Sequence, residues 1–441
     1  MQKNLSTRRL FIQRGLVMLA AAPTIPTFLD QTVLALSAGL DGARTQKASG
    51  KDGTILVVVQ MAGGNDGLNM VVPFGDDAYY RARPTIGVPK DKALKIDHYI
   101  GLHPNLAPLK RLYDEGHMSV IQGVGYPNPN RSHFRSMDIW QSGQPDHEVP
   151  TSGWIGRYFD NACPGCDPHV GVSIGGAMPL AMQGDRVLPL AFEKPDSYRY
   201  NGTDKDEYMK LNKIGEHKPS LLVDPTTRPA QKMGKMAKKV EITPASELDF
   251  LHRTAMDAQV SSDDILRMTR TYQTSGKYPQ NEFGQGLKTV AAMIAGGLPT
   301  RVYYVSLGGF DTHAQQVNRH DQLMTQLGEG IAAFMDDLAK QKNRDRVLLM
   351  TFSEFGRRVA ENANGGTDHG SASIMFALGS QVKQGLYGDQ PSMTQLVDNG
   401  NLSFTTDFRS VYATVIDRWL GVPPDALLGK AWPELDFIPS A

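Results

Sequence analysis

Three runs in this 441-residue chain, TILVVVQ at Thr54–Gln60, RVYYVSL at Arg301–Leu307 and RVLLMTF at Arg346–Phe352, are apolar almost throughout and only of strand length. A strand with one wet face alternates apolar and polar residues. A run without alternation needs apolar neighbours on both faces, the situation of an inner strand in a parallel sheet. Parallel neighbours need crossover segments, usually helices. Segments of that kind lie between the runs. Leu106, Leu109, Leu112 and Tyr113 fall on one helical face ahead of the short strand MSVIQGV. Phe283, Leu287, Val290 and Ile294 mark a second helix, and Leu323, Leu327, Ile331, Phe334 and Leu338 a long third one. IMFALG reads as a later strand. Val411, Val415 and Trp419 mark a closing helix, ended by Gly421 and the Pro423-Pro424 pair. The expected class is α/β, with a doubly wound, mostly parallel sheet covered by helices on both faces.

The N-terminus is organised differently. STRRLFIQRGLVMLAAAP sets Arg8 and Arg9 before Leu10, Phe11 and Ile12 and a short apolar run, the layout of a twin-arginine export signal. Residues 1–36 are therefore expected to be a signal region and 37–53 a linker. The rest, 54–441, is expected to be one α/β domain, in which the polar stretch 194–280 is an insertion or cap with a helix at Ala245–Tyr272. Pro23 argues against cleavage after Ala22; Ala35-Leu36-Ser37 offers small residues instead. On this reading the translocase is a transient partner and the mature chain is periplasmic or extracellular. Formal net charge is zero with both signs mixed along the chain, which points away from a nucleic-acid surface. No internal stretch is long and apolar enough to span a bilayer. Cys163 and Cys166, in ACPGCD, suit a redox dithiol, half a zinc site or a short disulfide loop; an oxidising compartment favours the disulfide.

Ligands of open α/β sheets bind at the carboxyl ends of the strands. TILVVVQ runs into a glycine turn with Asn65 and Asp66, RVYYVSL into Asp311 and His313, and RVLLMTF into Ser353 and Glu354, with Asp368 and His369 beyond. Carboxylates and imidazoles on one rim are ligands for a divalent ion such as Zn, Mn or Mg, so Asp66, Asp311, His313, Glu354 and His369 are the candidate metal set. Each has a local alternative: Asp66 as a turn or helix cap, Asp311 and His313 as partners of the next helix start, Glu354 as an ion pair with Arg357, Asp368 and His369 as a glycine turn. In NRSHFRSMDIW, Ser132 opens a helix and is a candidate nucleophile, with Arg131 and Arg357 as candidates to steady anionic oxygens. The alternative for Ser132 is an ordinary helix cap.

The combination of the twin-arginine signal, GGNDGLNMVVP, RSHFRSMDIWQSG, GGFDTH and SEFGRR…GGTDHG resembles the exported family of unknown function labelled DUF1501, from about Thr54 to Leu420. That family is similar to the alkaline phosphatase and sulfatase superfamily. The resemblance implies a metal-centred site at the strand ends, with Ser132 near the nucleophile, Asp66 as the first-strand metal aspartate, and Asp311 and His313 as ligands. It also marks departures. Ser353-Glu354 stands where the superfamily has an Asp-His pair, Asp368-His369 better matches its last, isolated histidine, and the Cys/Ser-Pro-Ser-Arg nucleophile context is missing. These imply an altered site, with one ion rather than two, or with none. Two functions follow as expectations: an exported metal-dependent hydrolase of a small phosphate or sulfate ester, or a non-catalytic binding or assembly protein that keeps the fold.

Overall fold

The computed structural model describes residues 53–146, 149–162, 168–187, 189–197 and 262–440. The twin-arginine region, the Cys163/Cys166 pair and residues 198–261 of the expected insertion lie outside the described residues. The strands are β1 Ile55–Ala62, β2 Val71–Val72, β3 Leu94–Lys95, β4 Gly101–Leu102, β5 Met118–Gly125, β6 Gly171–Ile174, β7 Leu190–Phe192, β8 Val302–Gly308, β9 Val347–Phe352, β10 Ser373–Leu378, β11 Gly385–Tyr387 and β12 Thr406–Asp407. Among the described residues nine of them form one sheet in the order β11-β5-β10-β9-β1-β8-β6-β7, with β12 beside β5; β2, β4 and β3 form a small antiparallel sheet.

The three apolar runs are the central strands β9, β1 and β8, paired in parallel. Alternate residues of β1 enter different cores. Ile55, Val57, Val59 and Met61 pack with Leu109 and Leu112, with Phe283 and Leu287, and with Leu323, Leu327 and Ile331. Leu56 and Val58 face the other way, toward Trp140, Ile155, Tyr158, Phe408, Tyr412 and Trp419. The helices Ala107–Asp114, Glu282–Ala295 and Gln316–Lys340 thus cover one face, and His133–Ser142, Trp154–Ala162 and Phe408–Thr414 the other. Full burial of such a side chain contributes about 1.5–3 kcal/mol, so a polar residue at either parity of β1 would forfeit a packed contact. The fold class is as expected from the sequence: α/β, mostly parallel, helices on both faces.

One strand runs against the rest. β10 pairs antiparallel with both β9 and β5. Periodicity is blind to this direction, because a strand buried on both faces has the same composition either way. The consequence for the site is direct. β1 and β8 end level, Ala62 opposite Gly308, and Gln60 of β1 lies opposite Phe352, the last residue of β9. The loops leaving β1, β8, β9 and β5 therefore emerge along one edge. β10 points away from that edge, so the loop that enters it, carrying Asp368 and His369, is delivered there as well.

The described end of the expected insertion is helical over 262–271. It leads to Tyr272 and Tyr278, whose hydroxyls donate to Asp337 Oδ2 at 2.6 and 2.8 Å, tying this segment to the long helix Gln316–Lys340. No helix among the described residues is long and apolar enough to cross a membrane.

Candidate metal centre

The loop from β5 turns into the helix His133–Ser142, with Ser132 at its N-cap. Ile139 and Trp140 anchor that helix on the sheet, Trp140 stacking on Phe352 and Phe408, and its first residue, His133, faces the strand ends. The loop from β8 supplies Asp311 and His313, and the loop into β10 supplies His369. A short bridge between Arg357 and His369 holds that last loop against the β9 exit. The turn after β1 leaves no room for a side chain at Gly63: a Cβ there would sit 2.5 Å from the Asp311 backbone nitrogen, and its φ is +121°.

His133, Asp311 and His369 bring their ligand atoms within 4.8 Å of one another. Asp311 Oδ1 is the centre of the cluster. His133 Nε2 lies 3.6 Å from it, His313 Nε2 3.1 Å and His369 Nε2 3.2 Å. The other ring nitrogens face outward onto oxygens: His133 Nδ1 onto Glu354 Oε1 at 3.0 Å, His369 Nδ1 onto the Arg131 carbonyl at 2.8 Å, His313 Nδ1 toward Asp368 Oδ1 at 3.4 Å. A carbonyl can only accept, so His369 carries its proton on Nδ1 and presents a bare lone pair at Nε2. That lone pair faces a carboxylate oxygen and, at 2.9 Å, His313 Nε2. Acceptors so crowded call for a cation between them, a proton or a metal. The observed separations bracket the ligand–ligand distance of about 3.3 Å that tetrahedral zinc bonds of 2.0–2.1 Å impose.

Partial burial pulls the Asp311 carboxyl up, but the hydrogen bond and charge of Arg357, with the nearby imidazoles, outweigh it and hold it at about 2. Burial pushes the His369 imidazole below its ordinary value, against its hydrogen bond to the Arg131 carbonyl and the nearby Asp311 carboxylate. The Asn362 hydrogen bond holds Asp368 low, outweighing its slight burial.

The other expected residues take different places. Asp66 is buried away from the cluster. Its carboxylate pairs with Arg83 Nη1 at 2.6 Å, accepts from Gln316 and caps Asn69 N. Burial alone would raise this carboxyl; Arg83 brings it below the usual range. Expected among the metal ligands, it is not in the group of His133, Asp311 and His369; its oxygens are taken up by Arg83, Gln316 and the Asn69 amide. Glu354 reaches the edge of the site: its Oε1 accepts from the Gly63 amide (2.7 Å) and lies 3.0 Å from His133 Nδ1. Arg357 is not available to a substrate. Its buried guanidinium donates to the carbonyls of Gly63, Gly64, Phe310 and Thr367 and to Asp311, so that it ties the three loops together. The Arg131 side chain is paired with Asp398 at 2.7 Å. Ser132 is exposed, and among the described residues its hydroxyl has no hydrogen-bond partner, so it is not a side-chain cap. It sits between the residue whose carbonyl holds His369 and the residue whose ring enters the cluster.

His133 was missed as a candidate ligand in the sequence. Its neighbour Ser132 drew the nucleophile assignment, and the signal that could have found it was an imidazole on the exit loop of a strand, the same rule that located Asp311.

Among curated proteins, none matches this sequence. In structure the chain is similar to a protein of the alkaline phosphatase superfamily from Vibrio parahaemolyticus (9% identity, TM-score 0.33, covering 82% of this chain and 71% of that one). It is also similar to a sulfatase from a Pseudoalteromonas species (10%, 0.32, 83% and 69%) and to a variant of the alkaline phosphatase PafA (11%, 0.33, 86% and 96%). Scores this low carry no argument about the chemistry of the site. Sequence is more specific: residues 54–428 match the family described as "Protein of unknown function (DUF1501)", and the chain belongs to that family.

Proposed function

We propose that the chain is an exported, metal-dependent hydrolase of a small phosphate or sulfate ester. The observation that carries the reading is the convergence of three imidazole Nε2 atoms on Asp311 Oδ1, with each Nδ1 turned to an oxygen outside. This is how histidines are held around a metal, the outer acceptor setting the tautomer that frees the inner nitrogen. His133, Asp311 and His369 would hold the ion, with His313 beside them. An imidazole-rich set suits zinc better than magnesium, which prefers oxygen ligands. A bound divalent ion supplies Lewis acidity and lowers the pKa of a coordinated hydroxyl or water.

The chain's own residues contribute the rest. Ser132 stands at the rim with a free hydroxyl and is the proposed nucleophile. The N–H groups of the first turn of His133–Ser142 have no side-chain cap and meet anionic oxygens, as helix N-termini do. Arg131, beside Ser132 and paired with the exposed Asp398, would have to release that partner to meet an anionic oxygen; Arg357 positions Asp311 and the loops. The twin-arginine signal supports a location outside the cytoplasm, reached in the folded state.

The test is metal analysis of the purified chain, together with turnover of an aryl phosphate and an aryl sulfate before and after chelation. The expected outcome is bound zinc and ester cleavage that chelator abolishes, zinc restores, and Ser132→Ala removes. Protein that holds no divalent ion and gains no activity from any would end this reading and leave the non-catalytic one.

A further inference from the structure

We propose that Glu354 is the positioning residue of the centre: it selects the tautomer and ring orientation of His133 rather than ligating the ion itself. The inference rests on the reading of the cluster as a metal centre. Glu354 is 1% exposed and leaves β9 through Ser353 at the edge of the sheet. Its Oε1 accepts two hydrogen bonds at once, from Gly63 N at 2.7 Å and from His133 Nδ1 at 3.0 Å. The first fixes the carboxylate to the β1 turn. The second then has one outcome for the imidazole: the proton on Nδ1, the lone pair on Nε2, and the ring aimed at Asp311.

Among the described residues its other oxygen meets no cation. Glu354 Oε2 lies 3.2 Å from Ser353 Oγ, which also approaches the Met61 carbonyl at 2.7 Å and accepts from Asn65 N at 2.8 Å. A hydroxyl has one proton, and the shorter contact to a carbonyl takes it. Oε2 is therefore poorly satisfied, and a glutamine would fit the same space better: its oxygen would accept from Gly63 and His133, and its NH₂ would donate to Ser353 Oγ. This makes position and charge separable at one residue. A ligand needs the negative oxygen; a positioning residue needs only the acceptor.

The experiment compares the full chain with Glu354→Gln and Glu354→Ala. Nitrogen-15 NMR of the histidines in metal-free protein reports which nitrogen of His133 is protonated, and competition with a chelating dye reports zinc affinity. Wild type is expected to carry the His133 proton on Nδ1. Glu354→Ala is expected to lose that preference and to bind zinc about 10–100-fold more weakly. Glu354→Gln is expected to keep both. A wild-type His133 protonated on Nε2 would overturn the proposal, as would unchanged affinity in Glu354→Ala. Equal losses in both variants would make Glu354 a ligand and overturn it too. If Glu354→Ala does not fold, Glu354→Gln decides alone, since retention of tautomer and affinity supports positioning and loss of either refutes it. Wild-type protein that takes up no zinc would defeat the metal reading, while the His133 tautomer would still decide what Glu354 does.

Discussion

Two polar clusters lie within a few residues of each other in this molecule and behave oppositely. One is the open rim of His133, Asp311, His313 and His369. The other is the buried cage of Asp66, Arg83, Asn69, Tyr79 and Gln316. Both contain an aspartate at the exit of a central strand. In the cage every strong acceptor is answered: Arg83 pairs with Asp66, Arg83 and Tyr79 donate to Asn69 Oδ1, and Gln316 links Asp66 to the hydroxyls of Thr312 and Thr367. At the rim Arg357 donates to Asp311 Oδ1, and three imidazole Nε2 atoms crowd the same oxygen. Both aspartates meet an arginine, Asp66 with Arg83 and Asp311 with Arg357; what sets the rim apart is the convergence of imidazoles on one carboxylate oxygen, which makes it the candidate site for a divalent ion.

The largest expected effect is on the cage. Arg83→Met leaves Asp66 buried and uncompensated and should cost about 3–5 kcal/mol in denaturant unfolding, with much of that returned by adding Asp66→Asn. A loss below about 1 kcal/mol, or no recovery in the double variant, would break the claim that Arg83 is the structural counter-ion of Asp66.

The next effect belongs to the rim. Zinc at 100 times its Kd should stabilise the chain by about 2.7 kcal/mol. His369→Ala should abolish this shift. Asp66→Asn should keep it, measured against its own metal-free form. A shift that disappears in Asp66→Asn would erase the distinction between the two clusters.

The smallest effect, counted per pH unit, is a pH slope from the histidine near the cage. His320 is buried, its Nε2 without a hydrogen-bond partner among the described residues, and burial pushes its imidazole down to about 3, against the pull of Asp66 and with His103, Arg83 and Arg357 lowering it further. Its unfolded value is about 6.5, so between these limits the unfolded chain holds the extra proton. Stability should fall as pH drops from 6.5 toward 3, by at most about 1.4 kcal/mol per pH unit from this group. His320→Met should flatten that share of the slope in unfolding midpoints measured across the window; an unchanged slope would assign the loss to other groups.

Much of the site was legible because strand ends are legible. The runs that became β1, β8 and β9 announced themselves by lacking alternation, and the polar residues just after them, Asp311, His313 and Glu354, arrived at one edge as expected. His369 also arrived, though for a reason the periodicity could not express, the reversed direction of β10. Asp66 and Arg357 share the composition of site residues yet serve other ends, because Arg83 comes to Asp66 from 17 positions on and Arg357 meets carbonyls from three separate loops. His133 was overlooked since nothing local separates a helix-start histidine in solvent from one aimed at a carboxylate.

The sequence by itself determined the layers, the parallel core and the edge where the chemistry gathers. These follow from burial patterns that repeat along the chain and need no knowledge of partners. Family membership was readable in the same local motifs. Only the tertiary structure decided which acid meets which base. A side chain's proton, charge and orientation depend on the single atom facing it across the fold, and that atom comes from residues tens or hundreds of positions away.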